Sequence, residues 1–361
     1  MTFIVASHVW DTATTTGTGN FTVSGTAVSG HRTLSAVCAT SDTFPYSIRN
    51  QAANEFEVGI GTYNGSNVFA RTRVLSSSSS NALVNFSAGT KDVILTVPAR
   101  NAYSREVIQD HRTYYVRTDG NDSNDGLTNS SGGAFLTIGR AMAVCSQIDF
   151  NGFSVAVQLA GPTPATFAET VTFPVVVGCA NFSNFLLLGD QTTPSNFVVG
   201  AASGFTGAVN FPVGTGGIVG GIKINNTDVN GYGLLCTGGY CYFQNVEFAA
   251  ALRHMVCEGG TIQSFNNYTV TGDAVFHMHA AGQAKINVAF ATAALGTRNI
   301  TVFAVAGQGG YVLSQSMTFT GTVTGQRYQA TTNGVIETFG AGATYFPGTS
   351  AGTTSTGGQY D

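Results

Sequence analysis

Apolar and polar positions alternate in two different rhythms along this chain. Residues 1 to 99 read as short β-rich runs, Phe21 to Ser24, Leu34 to Ala39, Glu55 to Tyr63, Phe69 to Leu75 and Val93 to Val97, separated by Gly, Ser and Asn turns. Ser76 to Asn81 reads as an exposed hairpin or loop, and Pro98, with no N–H for a ladder, ends the last strand. This stretch is expected to form a small all-β, β-sandwich-like domain. Residues 100–112 contain NAYSREVIQDHR, the most highly charged segment, which reads as a linker or a short helix with Val107 and Ile108 on one side.

From residue 113 to 345 the rhythm lengthens. YYVRTDGNDSNDG predicts a strand and a polar loop. The next run predicts a helix near 137–147, because Thr137 is a good N-cap and Ile138, Ala141, Met142 and Cys145 fall at i, i+3, i+4 and i+7. Such a helix needs an apolar surface, and the open end of a coil stack supplies one. Downstream, a glycine followed by a β-rich run recurs at Gly217, Gly239, Gly260, Gly282, Gly310 and Gly334, with spacings of 22, 21, 22, 28 and 24. Periods of roughly 20–30 residues with strands and tight turns, but no intervening helices, fit the coils of a parallel β-helix. The expected class is therefore all-β: a right-handed, single-stranded parallel β-helix behind a small N-terminal β domain, with one short capping helix. Residues 346–361 are Gly/Thr-rich and lack periodic apolar positions, so they read as a tail or small cap.

Composition sharpens the functional side. Hydrophobic residues make 43% of the 361-residue chain, enough for a real core, whereas Asp, Glu, Lys and Arg make only 9%, against roughly 25% in average globular proteins. With 46 glycines and many Ser, Thr and Asn residues, the surface is solvated by uncharged groups. A net charge of -4 without a basic cluster argues against a nucleic-acid partner. The absence of any run of roughly 18 apolar residues argues against membrane insertion.

Three stretches carry a resemblance. DTATTTGTGNFTVSG, FEVGIGTYNGSNVFARTRVLSSSS and VNFSAGTKDVILTVPA together resemble the N-terminal module of phage tail and collar proteins. YYVRTDGNDSNDG with FLTIGRAM is similar to the entry strand and capping helix of phage pectate-lyase-like β-helix spikes, and the C-terminal AGTTSTGGQY also looks like a phage virion segment. The resemblance implies a homotrimeric spike or fibre at the collar or tail of a bacteriophage particle, assembled in the host cytoplasm. It further implies that the N-terminal domain is held by other virion proteins.

Many such spikes cleave host polysaccharide, so acidic pairs matter. Counted from the repeat glycines, Asp228 sits at +11, Glu247 at +8 and Asp273 at +13, so no two fall in register on neighbouring coils; Asp228 and Asp273, two coils apart, are the weak catalytic candidates. The commoner role of such residues is to be solvated turn acids. Tyr240, Tyr242, Phe243 and Tyr268 are candidates for stacking on a host glycan, although core and interface aromatics are commoner. His277 and His279 form an HxH whose rings would share one strand face, where threefold symmetry could gather imidazoles around a metal; surface or interface histidines are the plainer alternative.

Asp119, Asn121, Asp122 and Asp125 are spaced like a calcium loop, but Ser123, Asn124 and Ser130 break that pattern, and Asx turns explain the same residues. Among the cysteines Cys38, Cys145, Cys179, Cys236, Cys241 and Cys257 there is no CxxC pair. Cys236 and Cys257, 21 residues apart, could occupy adjacent coils, as core thiols or as a disulfide. No cofactor is expected. A structural spike ranks first, a glycan-binding module second and a polysaccharide depolymerase third.

Overall fold

Strand-forming runs of Val, Ile, Phe and Tyr pair in two ways in this chain, antiparallel before residue 97 and parallel after residue 105. The computed structural model describes residues 2–96, 105–200 and 204–361. The chain divides into two units, Met1–Ser104 and Arg105–Asp361. The end of the predicted strand at Val97, Pro98 and the first part of the predicted linker lie outside the described residues.

The N-terminal unit is one six-stranded antiparallel sheet, running Trp10–Ala13, Lys91–Leu95, Thr43–Asn50, Phe56–Gly65, Val68–Ser77 and Phe21–Thr22 in spatial order. Its two edge strands are consecutive in sequence and meet where the Ser24 N–H donates to the Thr12 carbonyl at 2.7 Å, so the sheet curls around a single core. Phe21, Phe44, Tyr46, Phe69 and Phe86 fill that core, with Phe44 edge-on to Phe69 and Phe21 edge-on to Phe86, both at 5.3 Å. The predicted strand at Leu34 to Ala39 is instead a 3-10 turn, Leu34–Ala36. Its two buried residues, Leu34 and Cys38, are four apart, a helical spacing, and the Cys38 N–H donates to the Leu34 carbonyl.

The second unit is a parallel β-helix. Ten strands, from Arg112–Val116 through Tyr240–Gln244 to Gln359–Tyr360, stack into one sheet, and a second sheet of thirteen strands closes the coils. Register carries apolar residues into continuous inward columns, such as Val157, Leu187, Val219 and Phe243. At about 4.8 Å per strand, the ten-stranded sheet extends roughly 43 Å. The repeat glycines other than Gly282 have a steric cause. Gly260, Gly334 and Gly358 precede strands of this sheet, where a Cβ would lie 2.4, 2.3 and 2.2 Å from a carbonyl oxygen of the preceding coil. Only glycine lets the backbones approach so closely.

The helix is Ile138–Cys145, with Thr137 Oγ1 accepting from the Arg140 N–H, and all four expected face residues are buried. The segment read as linker or helix instead pairs Glu106–Val107 in parallel with Ile148–Asp149, with Val107 exposed and Ile108 buried on opposite sides. Alternation with period two, not a helical face, governs this pair. The C-terminal stretch read as a tail continues the coil pattern: Thr353–Thr354 pairs with Gln329–Ala330 and Gln359–Tyr360 with Val335–Ile336. Phe346 is fully buried, and Tyr360 stacks on Tyr328 at 3.7 Å.

Candidate functional surfaces

Strand alternation sorts the four aromatic candidates. On Tyr240–Gln244, Cys241 and Phe243 point into the core and Tyr240 and Tyr242 point out. Phe243 is fully buried and Tyr268, on the other sheet, also faces inward, so neither can stack on an external sugar. Tyr240 and Tyr242 remain on the surface, each paired with a ring absent from the sequence reading. Tyr242 stacks on Phe265 at 4.6 Å with ring planes 8° apart, and Tyr240 on Phe182 at 4.9 Å and 15°. Phe265 is 48% exposed and Tyr240 44%. The amides of Gln244 and Asn245 both donate to the Gln191 side-chain oxygen at the margin.

The two acidic candidates lie at one corner of the solenoid, two coils apart as expected, with Ala250, Ala251 and Leu252 on the coil between them. With Asn226, Val229, Val275 and Asn299, they line a shallow open groove. Each carboxylate is engaged by backbone: Asp228 accepts from the Asn230 N–H at 2.8 Å and Asp273 from the Asn299 N–H at 2.9 Å. The first bond shapes a turn, as Asx side chains commonly do, and the second ties one coil to the next. Glu247 lies elsewhere, bound to Lys223 at 2.7 Å and to the Thr271 hydroxyl at 2.6 Å.

The two histidines of the HxH do not share a face. His277 is fully buried, its Nδ1 3.0 Å from Nδ1 of His254 on the preceding coil and its Nε2 3.1 Å from the Tyr268 hydroxyl, with Phe248 and Phe303 packed around it. His279 is half-buried and accepts from Arg253 at 3.0 Å. The cause is a local break in alternation: His277 and Met278 are successive residues and both enter the core. Burial holds the His254 ring down to about 4, and that of His277 well below its ordinary value. For His279, burial and then the Arg253 charge bring it to about 4. Among the described residues, no three His, Cys, Asp or Glu side chains converge as a metal site.

The acidic loop is built from hydrogen bonds within the protein. Asp119 pairs with Arg117, and Asn121 and Asp125 accept from Ser123 and Leu127 as Asx turns. Asp122 takes the Leu136 and Thr137 N–H groups and the Thr137 hydroxyl. Its carboxylate therefore anchors the helix start. Cys236 and Cys257 do lie in register on adjacent strands, both as buried free thiols. The thiol–thiol hydrogen bond pulls the Cys236 thiol down and pushes Cys257 up.

Two polar assemblies, one buried and one half-buried, escaped the sequence reading. Glu57 and Arg71 form an ion pair at 3.0 Å inside the N-terminal unit, satisfied by the Tyr46 hydroxyl, the Val84 N–H and the Gly17, Gly19 and Val84 carbonyls. Glu169 binds the Ile138 and Gly139 N–H groups, both at 2.8 Å, at the helix N-terminus. Compared with known proteins, the chain matches no family model, no curated protein and no solved structure. What its own geometry establishes is the class, a nearly all-β protein with a parallel β-helix behind an antiparallel N-terminal sheet.

Proposed function

We propose that this chain is a structural spike or fibre component of a bacteriophage particle, at the collar or tail. The β-helix would serve as a stiff projecting element, the N-terminal unit as the attachment module toward other virion proteins, and three copies would assemble together. The observation that carries this reading is the solenoid itself. Its in-register columns run through a sheet of ten strands, giving a rigid element built almost wholly from uncharged side chains. The phage-like segments at both units support the same reading, and the low charge suits close packing of identical copies. A depolymerase is less well supported, because Asp228 and Asp273 are each engaged by a backbone N–H on a shallow surface.

The test is the protein composition of purified particles. Peptide mass spectrometry should recover this chain in fixed proportion to the capsid protein through successive density gradients, and the pure chain should release no reducing ends or unsaturated sugars from host capsule. A chain that stays in the soluble lysate, or one that shortens the polysaccharide, would overturn the structural reading.

A further inference from the structure

Charge is distributed unevenly over the two solenoid sheets. Five consecutive strands of the ten-stranded sheet, Val155–Leu159, Phe185–Leu188, Gly216–Gly220, Tyr240–Gln244 and Thr261–Ser264, contain no Asp, Glu, Lys, Arg or His. Strands of the other sheet carry Lys223, Glu247, Arg253, Glu258, Arg298 and Arg327. On the neutral face, register aligns Ala156, Leu186, Ile218 and Tyr242 in one column, with Ile218 itself buried and the other three half-buried, and the Tyr242–Phe265 stack continues it sideways. The first ionised groups beyond this patch are already engaged. Lys285 lies over the Tyr311 ring at 5.5 Å, and the Tyr311 hydroxyl donates to Glu337 at 2.6 Å.

We infer that this neutral face, centred on Leu186, Tyr242 and Phe265, is the surface through which copies of this chain pack against one another. The inference rests on the homotrimer reading above and adds which face is used. Closed rotational symmetry sets equivalent residues of every copy around one axis, so a charge facing that axis meets its own kind. Like charges brought together in a desolvated contact cost several kcal/mol. A face turned toward the axis must therefore be neutral, and the five-strand stretch, longer than the three neighbouring neutral strands Val171–Thr172, Gly207–Pro212 and Tyr232–Thr237 of the other sheet, also bears outward aliphatic and aromatic side chains. Protein interfaces share that composition at their centres, with aromatic residues enriched and charges depleted. The glutamine and asparagine side chains of Gln158, Gln244, Gln263 and Asn287 frame the patch with groups that hydrogen-bond without net charge.

The experiment is sedimentation velocity on the full chain and on Leu186→Lys and Tyr242→Lys, with circular dichroism to establish that each variant keeps its β signature. Wild type should sediment as a trimer, and each lysine should weaken association roughly 30-fold or more, the scale of a central interface residue. Arg253→Glu, on the charged sheet, should leave the trimer intact. A second measurement does not depend on destabilising anything: Gln263→Cys, treated with a short bismaleimide, should give covalently cross-linked dimers, two of the three chains of each trimer, that wild type does not. Trimers that persist in both lysine variants, with no cross-linking at position 263, would overturn the assignment of this face while leaving the homotrimer standing. If wild type binds host glycan and only the lysine variants lose it, still as trimers, the face belongs to glycan instead. A monomeric wild type would overturn the homotrimer reading itself, and this inference with it.

Discussion

His254 and His277 place two imidazoles 3.0 Å apart in a core that excludes water, a placement favourable only while both rings are neutral. One ring must donate and the other accept, and the Tyr268 hydroxyl completes the chain at the far nitrogen. Around His254, burial dominates; the Ala249 backbone and Asp273 favour protonation and Arg298 opposes it. Because both folded values lie below the ordinary histidine value of about 6.5, the unfolded chain binds more protons than the folded one as pH falls from 6.5 toward 4. Stability from these two groups is therefore complete above pH 6.5 and is lost on acidification. The slope is on the order of 1.4 kcal/mol per pH unit for each ring. Denaturant melts of the solenoid between pH 8 and 4 should show this loss, and His254→Leu/His277→Leu should make it shallower, leaving the contribution of His279. An unchanged slope in the double variant would place the acid sensitivity elsewhere. The HxH motif was visible in the sequence, but His254 comes from the preceding coil, and the break in alternation that turns His277 inward depends on corner geometry that a residue pattern does not encode.

At the scale of elements, the helix shows both what a pattern reveals and what it omits. Its boundaries, N-cap and buried face follow from local spacing, since Thr137 and the four face residues lie within nine positions of one another. Glu169 lies 31 residues beyond Ile138 and reaches the helix only because the coil returns there, so no local signal marks it. Its carboxylate meets two unpaired N–H groups and the positive end of the helix dipole, both favourable to an anion. Glu169→Ala should lower the unfolding free energy of the solenoid unit by about 1–2 kcal/mol, and Glu169→Gln should restore part of it. Equal stability of Glu169→Ala and wild type would show that water replaces the carboxylate at no cost. The final coil was obscured for another reason: its strands are two residues each, and Thr353 and Thr354 give no apolar signal. Gly358 lies 24 residues after Gly334, the same step as from Gly310 to Gly334, so the glycine period would have identified it where hydrophobicity did not.

For the whole molecule, the periodic glycines made the coil architecture legible because all but Gly282 answer a recurring steric demand, the close approach of one backbone to the carbonyls of another segment. The all-β class of the N-terminal unit was equally accessible from its short runs and turns, although its single antiparallel sheet and the buried Glu57–Arg71 pair were not, since no local pattern marks either. Function is held less locally. The aromatic candidates divided by strand parity, two to the core and two to the surface, and the surviving pair gained stacking partners in Phe182 and Phe265. The proposed role depends on where the molecule resides, and a reconstruction of intact particles from electron images tests that most directly. The account predicts threefold appendages at the neck, tail or baseplate, into each of which three solenoids fit with strands spaced about 4.8 Å apart and their neutral faces toward the axis. Particles whose every appendage is explained by other chains would contradict it.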